Sequence, residues 1–214
     1  MDHRRKHWIF VLSAFGMGLF NSYSYVFRGQ SFATMETGNM MMFSYYLING
    51  NYAVLYRYVI SILSFTVSCI LLEVLRRKKV RNYHTALLAV ELTLTSVILF
   101  LPDGDLFTAL ANAMGGFVGA SHLQLFRTLD GYSVTTTMCT GNLRSLTNCI
   151  GDWIVNKDKK PLHGVRIYAT LILTFILGAL SGYYLGTVIG PYCLTVSLAT
   201  LLFALIATKE SDAT

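Results

Sequence analysis

Charged side chains are scarce, at 13% of 214 residues, against roughly 25% in soluble domains. Too few ionic groups remain to clothe a water-exposed surface of this size. No His-Glu-x-x-His, no Gly-x-Ser-x-Gly and no paired helical aspartates occur, so the usual signatures of an intramembrane enzyme are missing. The four cysteines, Cys69, Cys139, Cys149 and Cys193, are scattered without Cys-x-x-Cys spacing and read as small buried hydrophobes. No cofactor and no metal site is expected. Met40-Met41-Met42 offers three thioethers, but adjacent residues on a helix point apart. No small-x-small cleavage site follows Trp8 to Phe20, so this stretch reads as an uncleaved first helix.

What the chain has in quantity is apolar sequence, at 54% of its residues. Long apolar runs occupy approximately 8–27, 53–75, 85–101, 106–126, 164–188 and 191–208. Each approaches the roughly 20 residues that cross a bilayer as a helix. Two shorter runs, 40–49 and 143–155, fall below that length. The expected fold is an all-α polytopic membrane protein with about six spanning helices. The net charge of +6 does not point to nucleic acid. Basic residues concentrate at Arg4-Arg5-Lys6, Arg76–Arg81 and Lys157-Lys159-Lys160, beside apolar runs, as positive-inside loops do. Membrane lipids are the expected surroundings. The many tyrosines near one side of the first half suit an interfacial aromatic belt.

Thr34-Met35-Glu36-Thr37-Gly38-Asn39 recurs as Thr137-Met138-Cys139-Thr140-Gly141-Asn142, 103 residues later, with five of six positions identical. Ala14, Gly16, Ser22, Phe27 and Arg28 match Ala113, Gly115, Ser121, Phe126 and Arg127 at an offset of 99. Arg57 and Tyr83 match Arg166 and Tyr192 at 109. The ordered matches predict a duplication, with repeats over 1–105 and 106–214. If the two short runs do not cross, every basic loop and both termini lie in the cytoplasm. Each half then has three spanning helices, so the halves are inverted relative to one another. Broken helices in inverted repeats commonly meet at a transporter's midplane site.

Irregular backbone at membrane depth needs protein or a water-filled cavity to satisfy its polar groups. Gly38 and Gly141 read as positions of special backbone freedom or close approach. Thr37 and Thr140 stand where a hydroxyl can cap the following helix, and Asn39 and Asn142 offer amide donors and acceptors. Helix N-termini at the break would favour an anion or polar neutral solute, and backbone carbonyls would favour a cation. The same residues also suit close packing of helices. A binding role makes Asn39→Ala and Asn142→Ala reduce transport more than folding yield; equal losses mark a packing role. Asn21, Glu36, Glu91, His122 and Gln124 complete the expected substrate-binding set, Glu91 because an intramembrane carboxylate is costly to keep. Arg28 and Arg127 read either as interfacial anchors or as charged gates at two mouths.

Phe32, Met35, Thr37, Gly38 and Asn39, with Ala113-Met114-Gly115, Arg127, Thr136-Thr137 and Thr140-Gly141, resemble the YoaK-like family of bacterial multi-pass membrane proteins of unknown function. The resemblance covers roughly residues 10–208. It implies the bacterial cytoplasmic (inner) membrane and supplies no substrate. In that family an aspartate commonly follows Gly-x-x in the first helix; here Gly18-Leu19-Phe20 is followed by Asn21, which puts any coupling role of that carboxylate in doubt. The expected function is passage of a small polar or ionic solute, by a transporter or channel and not an enzyme. The alternative is a membrane scaffold or partner subunit. A homo-oligomer is compatible with either.

Overall fold

A computed structural model describes residues 3–157 and 160–212; Lys159 of the third basic cluster lies outside them. The long helices are α1 (His3–Phe27), α3 (Leu55–Arg77), α4 (Tyr83–Phe100), α5 (Asp105–Leu125), α7 (Pro161–Ile189) and α8 (Leu194–Asp212). Two shorter helices, α2 (Glu36–Ile48) and α6 (Thr140–Asn156), follow the two motif segments. At 1.5 Å per residue they are about 20 and 25 Å long, short of a bilayer's hydrocarbon thickness. A small antiparallel hairpin, β1 (Thr128–Leu129) and β2 (Tyr132–Ser133), precedes the second motif.

Among the described residues four segments are long and apolar enough to cross a membrane: His3–Phe27, Tyr52–Arg77, Tyr83–Phe100 and Pro161–Lys209. The last holds α7 and α8, joined by a turn at Gly190–Cys193. Helix α5 has the length but not the apolarity, because Asn112, three glycines, His122 and Gln124 dilute it. That dilution follows from its position. Glycines on α5 let other backbone come close: a Cβ at Gly116 would lie 2.7 Å from Ser61 O, and one at Gly119 would lie 3.0 Å from Thr34 Cα.

Contacts sort the helix ends into two groups. Arg28 reaches the carbonyls of Ile98 and Leu101, and Arg57 pairs with Asp105, so the ends of α1 and α4 gather with the starts of α3 and α5. At the opposite, basic end, Glu73 pairs with Arg76, Arg77 and Arg127, and His7 and His163 meet Asp130. Two apolar clusters fill the space toward each end. Ile9, Phe10, Phe126, Leu129 and Leu171 pack at the basic end; Met17, Phe20, Tyr23, Val118 and Leu194 pack at the other.

The tightest crossing joins α1 to α7. A Cβ on Gly18 would strike the Phe175 carbonyl, and one on Gly178 would strike the backbone of Phe15. Close backbone approach of this kind is how small residues build helix contacts in lipid. Gly178→Val is expected to abolish the folded, monodisperse species in detergent, a larger effect than the about 1–3 kcal/mol of ordinary overpacking. Gly151→Ala, at a site with open space around it, is expected to leave elution profile and melting temperature unchanged.

Candidate functional site

The two motif segments leave their parent helices, run irregularly into the interior and meet. Thr34 Oγ1 donates to the Thr137 carbonyl at 3.0 Å, so the same residue of each repeat touches its copy. Asn21 on α1 holds this junction. Its amide nitrogen donates to Thr34 Oγ1 at 2.7 Å and to Met17 O at 2.8 Å, and its oxygen accepts from Thr34 N at 3.1 Å. Thr34, Thr137 and Asn21 are all buried.

The motif asparagines repeat one device. Asn39 accepts from Phe32 N at 2.8 Å and donates to Phe32 O at 2.8 Å. Asn142 accepts from Thr135 N at 3.0 Å and donates to Thr135 O at 2.6 Å. In each case a side-chain amide pairs, like a neighbouring strand, with the peptide unit seven residues earlier. It satisfies both polar groups of a residue that no helix serves, as buried backbone demands. Around Asn39 the network continues: its amide reaches Glu36 Oε2 at 2.9 Å, and Ser61 Oγ donates to Glu36 Oε1 at 3.0 Å. Cys139 replaces Glu36 in the second copy, so this extension belongs to the first alone.

The other motif residues take different places. Thr37, Thr140 and Gly141 are exposed on the bundle's outside, and Gly38 is half-buried. Neither threonine caps its helix: α2 begins after Met35 and α6 after Cys139, both without a side-chain cap bond. Neither glycine adopts positive φ. A Cβ at Gly38 would press on the Phe32 ring at 2.7 Å, whereas one at Gly141 would meet nothing. The expected backbone freedom and threonine caps are therefore corrected. The Thr-Gly-Asn triplets do not converge as units; the junction is made by Thr34 and Thr137, three residues ahead of each exposed threonine.

Glu91 and His122 do converge, from α4 and α5. His122 Nδ1 lies 2.8 Å from Glu91 Oε2, and both side chains are fully buried. Among the described residues Glu91 Oε1 and His122 Nε2 have no hydrogen-bond partner, nor do Gln124 Oε1, Ser121 Oγ and Thr137 Oγ1. Buried polar atoms are nearly always satisfied, so this group is suited to a polar guest or to water. His122 follows Gly119, which abuts Thr34, by three residues, about 4.5 Å along α5. Between this centre and the basic end lies a cavity of about 490 Å³, lined by Lys6, Arg76, His84, Gln124, Arg127 and Thr208 among others.

The paired arginines differ. Arg28 is 3% exposed and closes its end: it donates to Tyr23 Oη, Ile98 O, Leu101 O and Pro102 O, capping the terminal carbonyls of α4 as basic side chains can. Arg127 is exposed, reaches Glu73 at 3.5 Å and lines the cavity. Of the two readings left open by the sequence, anchor or gate, the buried Arg28 does not fit an interfacial anchor.

One cluster has no forerunner among the sequence-based candidates. His3, His7 and Asp130 bring ligand-type atoms within 4.8 Å of one another, and His163 joins Asp130 at 3.0 Å. The signal was His3-x-x-x-His7, two imidazoles four apart on one helix face. Burial raises the Asp130 carboxyl, but hydrogen bonds from His7 and His163 and the nearby imidazole charges outweigh it and hold it below its usual range.

Asn39→Ala and Asn142→Ala each strand a buried N–H and a buried carbonyl, at about 1–3 kcal/mol per group. Both variants are expected to lose folded yield and melting temperature. Asn39→Ala is expected to lose more, since it also unties Glu36. Gly141→Ala is expected to be silent in the same thermal assay.

No curated protein and no solved structure matches the chain. A family described as "Protein of unknown function (DUF1275)" matches residues 9–207. By that match the chain belongs to the DUF1275 family.

Proposed function

We propose that the protein carries a small anionic solute across a bacterial cytoplasmic membrane by alternating access. The solute site is the basic cavity that reaches Gln124 and Leu88; the Glu91–His122 pair begins about one helical turn beyond Leu88 on α4, and the two motif breaks frame the interior end. The observation that carries this reading is the unlike state of two matched arginines: Arg28 seals one end against α4, and Arg127 stands in an open basic cavity at the other. A transporter caught open to one side would have this asymmetry. The positive-inside rule assigns the basic end, with both termini, to the cytoplasm.

An inverted repeat supports the same reading. Helix α1 packs on α7 as α5 packs on α3, α1 packs on α8 as α5 on α4, and α2 packs on α3 as α6 on α7. Exchanging the halves maps each pair onto its counterpart. Six helices span, and α2 and α6 return to the side from which their segments came. In the opposite state, Arg127 swings toward α8 near Ala207, the match of Ile98 at the offset of 109, and Arg28 lets go. Lys6, Arg76, His84 and Arg127 favour a negative solute in the cavity, and the Gln124 amide can donate a hydrogen bond to it. The YoaK-like resemblance is compatible with this reading and adds no substrate. The scaffold reading keeps one specific support, the direct Thr34–Thr137 contact, which leaves no room for a solute at the junction itself.

The test is uptake of labelled small carboxylates and inorganic anions into proteoliposomes, with a cysteine at Thr208 and an impermeant thiol reagent reporting the cavity. A transporter is expected to show uptake of at least one anion, reduced at least about tenfold by Arg127→Ala at unchanged melting temperature, as loss of a charged binding contact would do. Labelling at Thr208 from the cytoplasmic side should fall when that anion is added. No uptake, with labelling at Thr208 that no solute alters, would establish the scaffold reading instead.

A further inference from the structure

We propose that His3, His7 and Asp130, with His163 hydrogen-bonded to the same carboxylate, form a binding site for a divalent transition-metal ion of the zinc type at the basic end of the bundle. The site is separate from the centre at Glu91 and does not depend on the transport reading. Three imidazole Nε2 atoms approach a single oxygen, Asp130 Oδ2: His7 at 2.6 Å, His163 at 3.0 Å and His3 at 3.1 Å. The His3 and His7 rings lie 4.6 Å apart, tilted by 36°.

Hydrogen bonding alone explains this convergence poorly. Each carboxylate oxygen offers about two lone-pair sites, and three ring nitrogens compete for one oxygen. If all three rings carried protons, two cationic rings would face each other at stacking distance. A metal ion removes both difficulties, since neutral imidazoles and a carboxylate donate lone pairs to it. Metal–nitrogen bonds of about 2.0–2.1 Å in a tetrahedron place ligand atoms about 3.3 Å apart, and the ligand atoms of His3, His7 and Asp130 already lie within 4.8 Å of one another. Two imidazoles with one carboxylate, and a fourth position for water or His163, suit zinc, cobalt, nickel or copper, and poorly suit magnesium or calcium, which want oxygen ligands.

The surroundings hold the ligands in place. Asp130 and Gly131 form the positive-φ turn, at 51° and 82°, of the β1–β2 hairpin, a sequence such turns prefer. Leu129 and Val134 anchor that hairpin in the apolar cluster at the basic end, and Tyr168 donates to Ser133 O at 3.0 Å. The Asp130 side chain is 12% exposed, while that of His3 is 68% exposed, so an ion has a path in from solvent. Lys6 and Thr128, which neighbour the ligand-bearing segments, line the large cavity. A bound ion would therefore tie the start of α1 and the start of α7 to the hairpin and fix the cavity's rim.

The experiment uses the full-length protein in detergent, purified without a polyhistidine tag and stripped with chelator, then titrated with Zn2+ and Co2+. One equivalent of either is expected to bind. Zn2+ is expected to raise the melting temperature, as any ligand of the folded state does, and Co2+ to give the visible absorption of a four-coordinate site. Asp130→Asn, His7→Ala and His163→Ala are each expected to weaken binding at least about tenfold, the least that loss of a metal-site partner costs; His84→Ala is expected to bind as the wild type does. Should Asp130→Asn not fold, His3→Ala carries the comparison, because its exposed ring contributes little to packing. Absence of stoichiometric binding in the wild type, or binding that survives His3→Ala with His7→Ala, would overturn the proposal. A Mg2+ titration that matched the Zn2+ curve would overturn the assigned class of ion.

Discussion

Two stretches of chain, at 31–35 and 134–139, run without regular helix through the interior of an apolar bundle, and every peptide group in them must find a partner there. In water such a cost is trivial; in an apolar interior each stranded group costs several kcal/mol. The fold depends on how this is solved. Asn39 and Asn142 each return a complete amide pair to the backbone seven residues back, and Asn21 accepts from Thr34 N and donates to the Thr34 hydroxyl. The glycines of α5 let the first break lie against that helix. The apolar clusters then pack on either side of the solved junction.

That arrangement leaves the chemistry next door. Once the asparagine amides are engaged by backbone, polar atoms with unused capacity remain farther along α5, at His122, which faces Glu91, and at Gln124, which lines the cavity. The repeat thus builds a frame, and residues that differ between the halves furnish the proposed site. Glu91 matches Thr200 at the offset of 109 and His122 matches Tyr23 at 99, so neither pair of positions is chemically equivalent. Symmetry in the frame with asymmetry in the contents lets one end close over Arg28 while the other stays open beside Arg127.

Much of the architecture could be read from residues alone. Long apolar runs located the helices to within a few residues, and the repeated hexapeptide located both breaks. The asparagine clamps were foreshadowed by the repeat, but their partners were not: Phe32 and Thr135 contribute only backbone, which carries no sequence signature. The exposed places of Thr37, Thr140 and Gly141 were also hidden, because the helices begin at Glu36 and Thr140 and turn those residues outward. Glu91 and His122 were each conspicuous, yet nothing local indicates that residues 31 apart on two helices would pair. The histidine cluster draws on α1, a hairpin turn and α7, so only His3 and His7 left a pattern within one element.

The most direct test of this account is hydrogen exchange of the full-length protein in nanodiscs, resolved at the amides of Phe32, Thr34 and Thr135, with Gly131 in the exposed hairpin turn as the fast reference. Amides held by Asn39, Asn21 and Asn142 should exchange as slowly as those in the middle of α5. Exchange at Phe32, Thr34 and Thr135 as fast as at Gly131 would mean that the breaks are open to water, and that the clamped junction on which the fold is said to rest does not exist.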